Sequence, residues 1–324
     1  MLDFNSSNKI NFDIALIEIL VYTFGFKFSW MNQILKKLRK YEIRVRKALN
    51  SHMQGDFQSI FKGSGLEFDG VREYQYGDDI RNIDWNTSAK GIGTFVKTFK
   101  EEKEQTVFFM LDVSASQEIG KKGNKKIDIG KEITALLAFA AVKEHSKVGV
   151  ACFSDWKELL IKPAKGTRHA YQIFKGLFEL NATSKTTNLN GAIKFILNYL
   201  KRKSIVFLIS DFVDEDYFKS LGSLSRKHDL IVIHLHDPRE SKFPNLGIVP
   251  LTEIESSRTL WINTSSPEFR NRFDGSHSKN TAKIATFCGR NDANFLTINT
   301  QNDYVPALVK LFKIRNLKNI KRAG

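Results

Sequence analysis

Asp112, Ser114 and Ser116 occupy alternate positions immediately after the apolar run Thr106-Val107-Phe108-Phe109-Met110-Leu111. A carboxylate and two hydroxyls at i, i+2 and i+4 are hard oxygen donors, and the set suits Mg²⁺, which takes a few protein oxygens and keeps several waters. A coordination position left open in such a set can accept a carboxylate oxygen from a partner. Two other places offer the same chemistry. Thr186-Thr187-Asn188-Leu189 opens an amphipathic run, and Asp211 closes the strongly apolar run Ser204-Ile205-Val206-Phe207-Leu208-Ile209-Ser210. In this reading Asp112 supplies the central negative charge, Ser114 and Ser116 bind directly, and Thr187 is the third-loop ligand. Asp211 acts through a water or orients a serine. Each residue alone has an ordinary duty as a helix cap or a loop-amide partner. What separates them from that background is their common position at the ends of predicted elements.

Those elements must bring the three loops to one edge. Apolar runs over 106–111, 148–153, 204–209, 230–234 and 295–298 read as strands, with a more polar edge-like strand near 158–161. Helices are expected near 126–143, 168–180, 189–201, 216–227, 267–286 and 304–317. Alternation of strands and helices at these lengths predicts an α/β fold: an open, mostly parallel sheet covered by helices on both faces. Sheets of that kind bind ligands beyond the carboxyl ends of their strands, where Asp112 and Asp211 fall.

Upstream, residues 31–50 read as a basic amphipathic helix with Ile34, Leu35 and Leu38 on one face, and Gly63 and Gly65 mark a turn. Residues 67–85 then concentrate opposite charges around apolar side chains. Arg72 and Arg81 are expected to pair with acidic neighbours, with Phe68, Ile80, Ile83 and Trp85 as buried anchors. The division that follows is a smaller amino-terminal region over 1–105, packed on a main α/β domain over 106–324 with a basic carboxyl-terminal tail.

The chain has 324 residues, 50 Lys and Arg against 35 Asp and Glu, and a formal net charge of +15. That length buries a large core without staples. The charge makes nucleic acid and anionic membrane surfaces candidate partners, through residues 31–50 and a tail containing Lys310, Lys313, Arg315, Lys318, Lys321 and Arg322. Cys152 and Cys288 lack metal-ligand spacing and are expected as buried thiols in a reducing compartment. Residues 10–30 are apolar but interrupted by Asp13, Glu18 and Lys27, short of a simple membrane span, and no secretory signal is expected. A cytoplasmic location follows, peripheral at the inner membrane if the basic surfaces bind lipid. Met31 is an alternative start. An enzyme reading recruits Asp78, Asp79 and Asp84 to a metal-dependent phosphohydrolase site, but no nucleophile, phosphate-cradling loop or positioned histidine accompanies them.

Residues from about 41 to 300 also resemble the domain-of-unknown-function 58 family, whose later portion is similar to a von Willebrand factor A domain. The resemblance rests on Gly63-x-Gly65-Leu66-Glu67-Phe68, Arg72-Glu73-Tyr74, Gly77-Asp78-Asp79-Ile80-Arg81-x-Ile83-Asp84-Trp85, Asp112-x-Ser114-x-Ser116, Thr187-Asn188-Leu189 and Ile209-Ser210-Asp211-Phe212. It implies a von Willebrand factor A-like fold and a metal-ion-dependent adhesion site made of Asp112, Ser114, Ser116, Thr187 and Asp211, with Mg²⁺ as cofactor. It further implies a non-enzymatic protein-binding module, an adaptor or assembly factor for a MoxR-type AAA+ ATPase, or for a client presenting an acidic side chain. Gln117 stands where many relatives carry Met, Tyr76 stands where Pro is common, and Asn188 often corresponds to an acidic residue.

Overall fold

The centre of the molecule is set by β3 (Thr106–Asp112), whose side chains from Val107 to Asp112 are all buried. A strand buried on both faces must be covered by helices on each side, and that is how this computed structural model is built. It describes residues 66–323 except 92, 102–104, 122, 241–244 and 253–258. The helix expected over residues 31–50, the Gly63/Gly65 turn and the apolar stretch at 10–30 lie outside the described residues.

In chain order the elements are β1 (Leu66–Glu73), the short helix α1 (Trp85–Ser88), β2 (Phe95–Glu101), β3, the two-residue strands β4 (Gly120–Lys121) and β5 (Asn124–Lys125), and α2 (Lys126–Lys143). Then come β6 (Lys147–Phe153), β7 (Lys157–Ala164), α3 (Thr167–Glu179), α4 (Leu189–Tyr199), β8 (Ile205–Ser210), α5 (Phe218–Lys227) and β9 (Asp229–His236). The chain continues through β10 (Ile248–Thr252), β11 (Thr259–Asn263), α6 (Pro267–Arg290), β12 (Asn294–Asn299) and α7 (Val305–Ala323).

Six strands form the main sheet in the order β12-β9-β8-β3-β6-β7. All neighbours are parallel except the edge pair β6 and β7. This is the mostly parallel, helix-covered α/β architecture expected from the alternation of apolar runs. From β3 the chain passes through α2 to β6 on one side, and returns later to place β8 on the other. The carboxyl ends of β3 and β8 therefore flank the point where the winding reverses, the position at which open α/β sheets leave a crevice.

Alternation along β3 divides the core. Phe108 and Met110 join Val206, Leu208, Ala151 and Phe153 on the face covered by α4, α5 and α6. Phe109, of opposite parity, stacks on Phe207 with ring centroids 5.0 Å apart, and Leu111 meets α2. There Gly130 lets helix and sheet approach closely, since a Cβ at that position would lie 2.8 Å from Leu111 Cδ1 and 3.2 Å from Leu235 Cδ1. Lys126 is one turn earlier on the same face of α2, which carries its side chain over the carboxyl ends of the strands.

Besides the short β4–β5 pair, two hairpins stand outside the main sheet. β1 pairs antiparallel with β2, with a register shift between Phe68 and Gly70. The charge pairing expected here is present, with Arg72 bonded to Asp78 twice at 2.7 Å and Arg81 to Asp79 at 2.9 Å. Of the four expected anchors, Ile83 is half-buried and the side chain of Phe68 lies outside the described residues, while two are not buried, Ile80 being 68% and Trp85 70% exposed. Neither side chain can be held by the apolar contacts that a buried anchor needs. The second hairpin, β10 with β11, is absent from the sequence reading. Pro250 sits in the middle of β10 opposite Trp261, and a mid-run proline argues against a strand except at the edge of a small sheet such as this one.

Candidate metal centre

The register of β3 against β8 decides which side chains meet. Leu111 pairs with Ile209, so the next residues, Asp112 and Ser210, are neighbours, and Ser210 Oγ donates to Asp112 Oδ2 at 2.7 Å. Ser114 donates twice to Asp112 Oδ1, from its amide at 3.0 Å and its hydroxyl at 2.7 Å. Ser114 Oγ and Ser116 Oγ lie 3.2 Å apart. Asp112 and Ser114 are fully buried, and Ser116 is half-buried. The Asp-x-Ser-x-Ser loop thus folds its three oxygen-bearing side chains onto one another, because a 3-10 turn over Ala115–Glu118 follows at once.

The third loop is stitched to the other strand ends by backbone bonds. Ala115 N donates to Lys185 O at 3.2 Å and Asn188 N to Ser154 O at 3.0 Å. Leu189 N, at the start of α4, donates to Asp214 Oδ2 at 2.7 Å. Asn188 caps α4 through the Gly191 amide at 2.7 Å, a structural duty. Glu158 gathers the Ser154 hydroxyl, the Trp156 indole and the Thr183 and Ser184 amides at 2.9 to 3.1 Å. Burial raises its pKa, but the Ser184 amide, the Ser154 hydroxyl and Thr183 outweigh that and hold it below the usual carboxylate range. Thr187 sits within this stitched segment. Its Oγ1 is buried with no hydrogen-bond partner, an arrangement that costs about 1–3 kcal/mol when nothing satisfies the group.

Asp211 follows β8 and is fully buried. Its parity matches Ile209 rather than Ser210, and it turns toward α2. Lys126 Nζ donates to Asp211 Oδ2 at 2.6 Å and also to Glu240 Oε1. Asp211 Oδ1 accepts from Val213 N at 3.3 Å. Ser114 and Ser210 both donate to Asp112, whereas Asp211 is bonded by Lys126 and the Val213 amide. The backbone turns sharply next, at Phe212, a buried non-glycine residue at φ 57°, held by its amide on Ser210 Oγ at 2.9 Å and its carbonyl on Asn280 Nδ2 at 3.1 Å.

Electrostatics favour a cation between these loops. Burial, and then the charge of Asp211, push the Asp112 carboxyl up to about 6, against the opposing donors Ser210 and Ser114. Burial works against the charge of Lys126, yet Asp211 and Glu240 outweigh it and leave the ammonium pKa raised. Among the described residues no three His, Cys, Asp or Glu side chains form a metal-holding group, so a cation here draws on hydroxyls. Two carboxylates, Ser114, Ser116 and the unpartnered Thr187 Oγ1 are the hard, partly neutral donor set that Mg²⁺ accepts. The residues fit the ion.

Sequence reasoning missed Lys126, Ser210, Glu158 and Glu240. Only the i to i+4 relation of Lys126 to Gly130, and the strand register for Ser210, could have found them. Gln117, noted above as standing where many relatives carry Met, is buried. Its Nε2 lies 3.4 Å from Asp112 Oδ2, while its Oε1 has no partner. Beside the third loop a cavity of about 240 Å³ opens between the β6–β7 turn and α4, lined by Met110, Phe153, Trp156 and Phe195 among others. Trp156 at this cavity is 61% exposed.

The other candidate chemistry does not assemble. Asp78 and Asp79 are committed to Arg72 and Arg81, and Asp84 accepts the Asn86 and Thr87 amides. Cys152 and Cys288 are buried as expected, and burial pushes both thiols up to about 12, far from nucleophilic at neutral pH. In the basic tail, Arg315 is 5% exposed and paired with Asp229. No helix among the described residues is long and apolar enough to cross a membrane.

The family model described as protein of unknown function DUF58 matches residues 70–283. The chain belongs to the DUF58 family. The uncharacterized Mycobacterium bovis protein Mb1516 is 25% identical over 284 residues, covering 86% of this chain and 88% of that one. Solved structures similar to this DUF58 protein include the conserved hypothetical protein BatB from Bacteroides thetaiotaomicron, with TM-score 0.44, 13% identity and coverage of 66% and 99% of the two chains. Another is the SpRpn10 VWA domain, with TM-score 0.35, 8% identity and coverage of 64% and 93%.

Proposed function

We propose that this DUF58 protein is a non-enzymatic, Mg²⁺-dependent protein-binding module of the von Willebrand factor A type, serving as an adaptor or assembly factor for a MoxR-type AAA+ ATPase. The observation that carries the reading is the convergence of Asp112, Ser114 and Ser116 at the switch point of the sheet, beside a loop whose Thr187 hydroxyl is buried and unpartnered. Asp112, Ser114, Ser116 and Thr187, with Asp211 behind them, would hold Mg²⁺, and the bound ion would supply Lewis acidity toward a partner's Asp or Glu carboxylate. Ser210 and Ser114 fix the rotamer of Asp112, and Glu158 holds the third loop in place. The cavity beside Trp156 and Phe195 offers apolar surface for the residues flanking the partner's acid, and so contributes specificity beyond the single charge. The adaptor works in the cytoplasm, with the basic surfaces available for peripheral contact with an anionic membrane.

The test uses the full chain, its Asp112→Asn variant, and a purified MoxR-type AAA+ ATPase from the same organism. Calorimetry reads Mg²⁺ binding, and co-purification with Mg²⁺ or EDTA reads the partner. Retention by the folded wild type with Mg²⁺, lost in EDTA and in the variant, is the expected result. Association that ignores metal and falls steeply with salt, with RNA or DNA competing, assigns the function to the basic surfaces instead.

A further inference from the structure

Lys126 is a lysine with no solvent exposure, placed within 2.6 Å of one proposed metal ligand. Long ammonium side chains are almost never fully buried unless paired, and this one has two partners. It bonds Asp211 on the side of the loop cluster and Glu240 on the far side. Glu240 belongs to the 3-10 turn Pro238–Glu240 after β9, and its Oε2 accepts from Asp237 N at 3.2 Å. Asp237 is in turn bonded by Thr300 Oγ1 at 2.7 Å, just beyond β12. The fixed positive charge at Asp211 is therefore shared with an acid anchored to the opposite half of the sheet.

We propose that Lys126 is a built-in counter-cation that sets how tightly the loop cluster holds a divalent metal, and that Glu240 tunes the affinity by drawing part of that charge away from Asp211. This rests on the reading of the cluster as a metal site. The ammonium occupies Asp211 Oδ2, while Oδ1 accepts a long 3.3 Å bond from Val213 N. In a buried setting two positive charges a few ångströms apart repel strongly, so an incoming cation meets a carboxylate already partly neutralised. Weakening Lys126 strengthens metal binding; freeing Lys126 from Glu240 weakens it. The two residues act in opposite directions although both belong to one ion-pair network. A purely structural role for the network predicts one direction for both.

The experiment titrates Mn²⁺ into the full-length wild type, Lys126→Gln and Glu240→Gln, reading free Mn²⁺ by electron paramagnetic resonance and folding by circular dichroism. Lys126→Gln is expected to tighten Mn²⁺ by about tenfold or more and Glu240→Gln to loosen it several-fold. Thermal melts with and without Mg²⁺ follow in parallel: Lys126→Gln melts lower than wild type without metal and gains more from Mg²⁺. If Lys126→Gln does not fold, Glu240→Gln, which keeps the lysine, decides alone by the direction of its Mn²⁺ shift. Shifts of the same sign in both variants, or none beyond twofold in folded protein, overturn the proposal. Should wild type bind no Mn²⁺ while Lys126→Gln does, the counter-cation stands and the metal-dependent function of the native chain fails. Absence of binding in wild type and both variants overturns both.

Discussion

The loop cluster at the sheet switch point and the β1–β2 region use the same side chains in opposite settings. In the first, Asp112, Asp211 and Lys126 are fully buried, and two carboxylates are answered by one ammonium shared with Glu240. In the second, Arg72 with Asp78 and Arg81 with Asp79 form pairs of comparable geometry that water reaches. The comparison teaches that solvation, and not the number of charges, decides where chemistry resides. An exposed pair satisfies itself and is screened, whereas an imbalance of buried charge persists until a cation, a proton or a partner relieves it.

The largest effect should come from breaking the buried pair. Asp211→Ala leaves the Lys126 ammonium with Glu240 alone and is expected to lower stability by about 3–5 kcal/mol in chemical denaturation; a loss near that of a surface change would erase the contrast between the regions. Asp112→Asn keeps the shape of the side chain and removes its charge. It should abolish the Mg²⁺-induced rise in melting temperature while raising the metal-free melting temperature at neutral pH, and a surviving Mg²⁺ response would remove Asp112 from the centre of the site.

The pH dependence follows from the same carboxyl. Its folded pKa, about 6, lies above the ordinary value of 3.8, so the native state binds more protons than the unfolded state between those values. The ionised carboxylate therefore costs stability at neutral pH. That cost is relieved as pH falls through about 6 and is gone below about 3.8. Divalent binding should weaken over the same descent, because protons compete for Asp112. Calorimetric titration with Mg²⁺ at pH 7.5 and at about pH 5 tests this; equal affinity at both would mean that Asp112 takes no part.

Gln117→Met removes a long donor to Asp112 together with an unpartnered buried carbonyl oxygen. A gain of about 1 kcal/mol in unfolding free energy is expected, with metal affinity changed less than in the Asp112 variant. Smallest of all, Arg72→Ala and Arg81→Ala should leave the melting temperature within about 2 °C of wild type. A large drop in either would show that the exposed pairs hold the hairpin more firmly than their solvation implies.

Much of this contrast is legible in the amino-acid sequence, and its limits have physical causes. Asp112, Ser114, Ser116, Thr187 and Asp211 stand out because each follows or precedes a periodic element, and strand ends in a parallel sheet gather at one edge. Lys126 does not stand out. It neighbours Lys125 in a chain rich in lysine, and only the phase of α2 against the sheet turns one ammonium inward and leaves the other paired with Glu118. Ser210 and Asp211 are adjacent, and their division of labour depends on strand parity at a position where the strand is ending. Trp85 misleads for the opposite reason, since a large apolar side chain in a charged motif reads as an anchor, and burial is a property of what surrounds it. The β10–β11 hairpin is hidden by Pro250, whose missing donor is tolerated only where a strand has a single neighbour.

Gly130 fixes a dimension of the site without contributing an atom to its chemistry. With no side chain there, α2 rests directly on Leu111 and Leu235, and the height of the helix above the sheet is set by backbone and methyl groups alone. Lys126, one turn away, inherits that height. The distance between the internal ammonium and the strand ends is in effect a gauge block machined into the scaffold, so a single methyl added at Gly130 should register first as a detuned ion affinity and only later as a damaged fold.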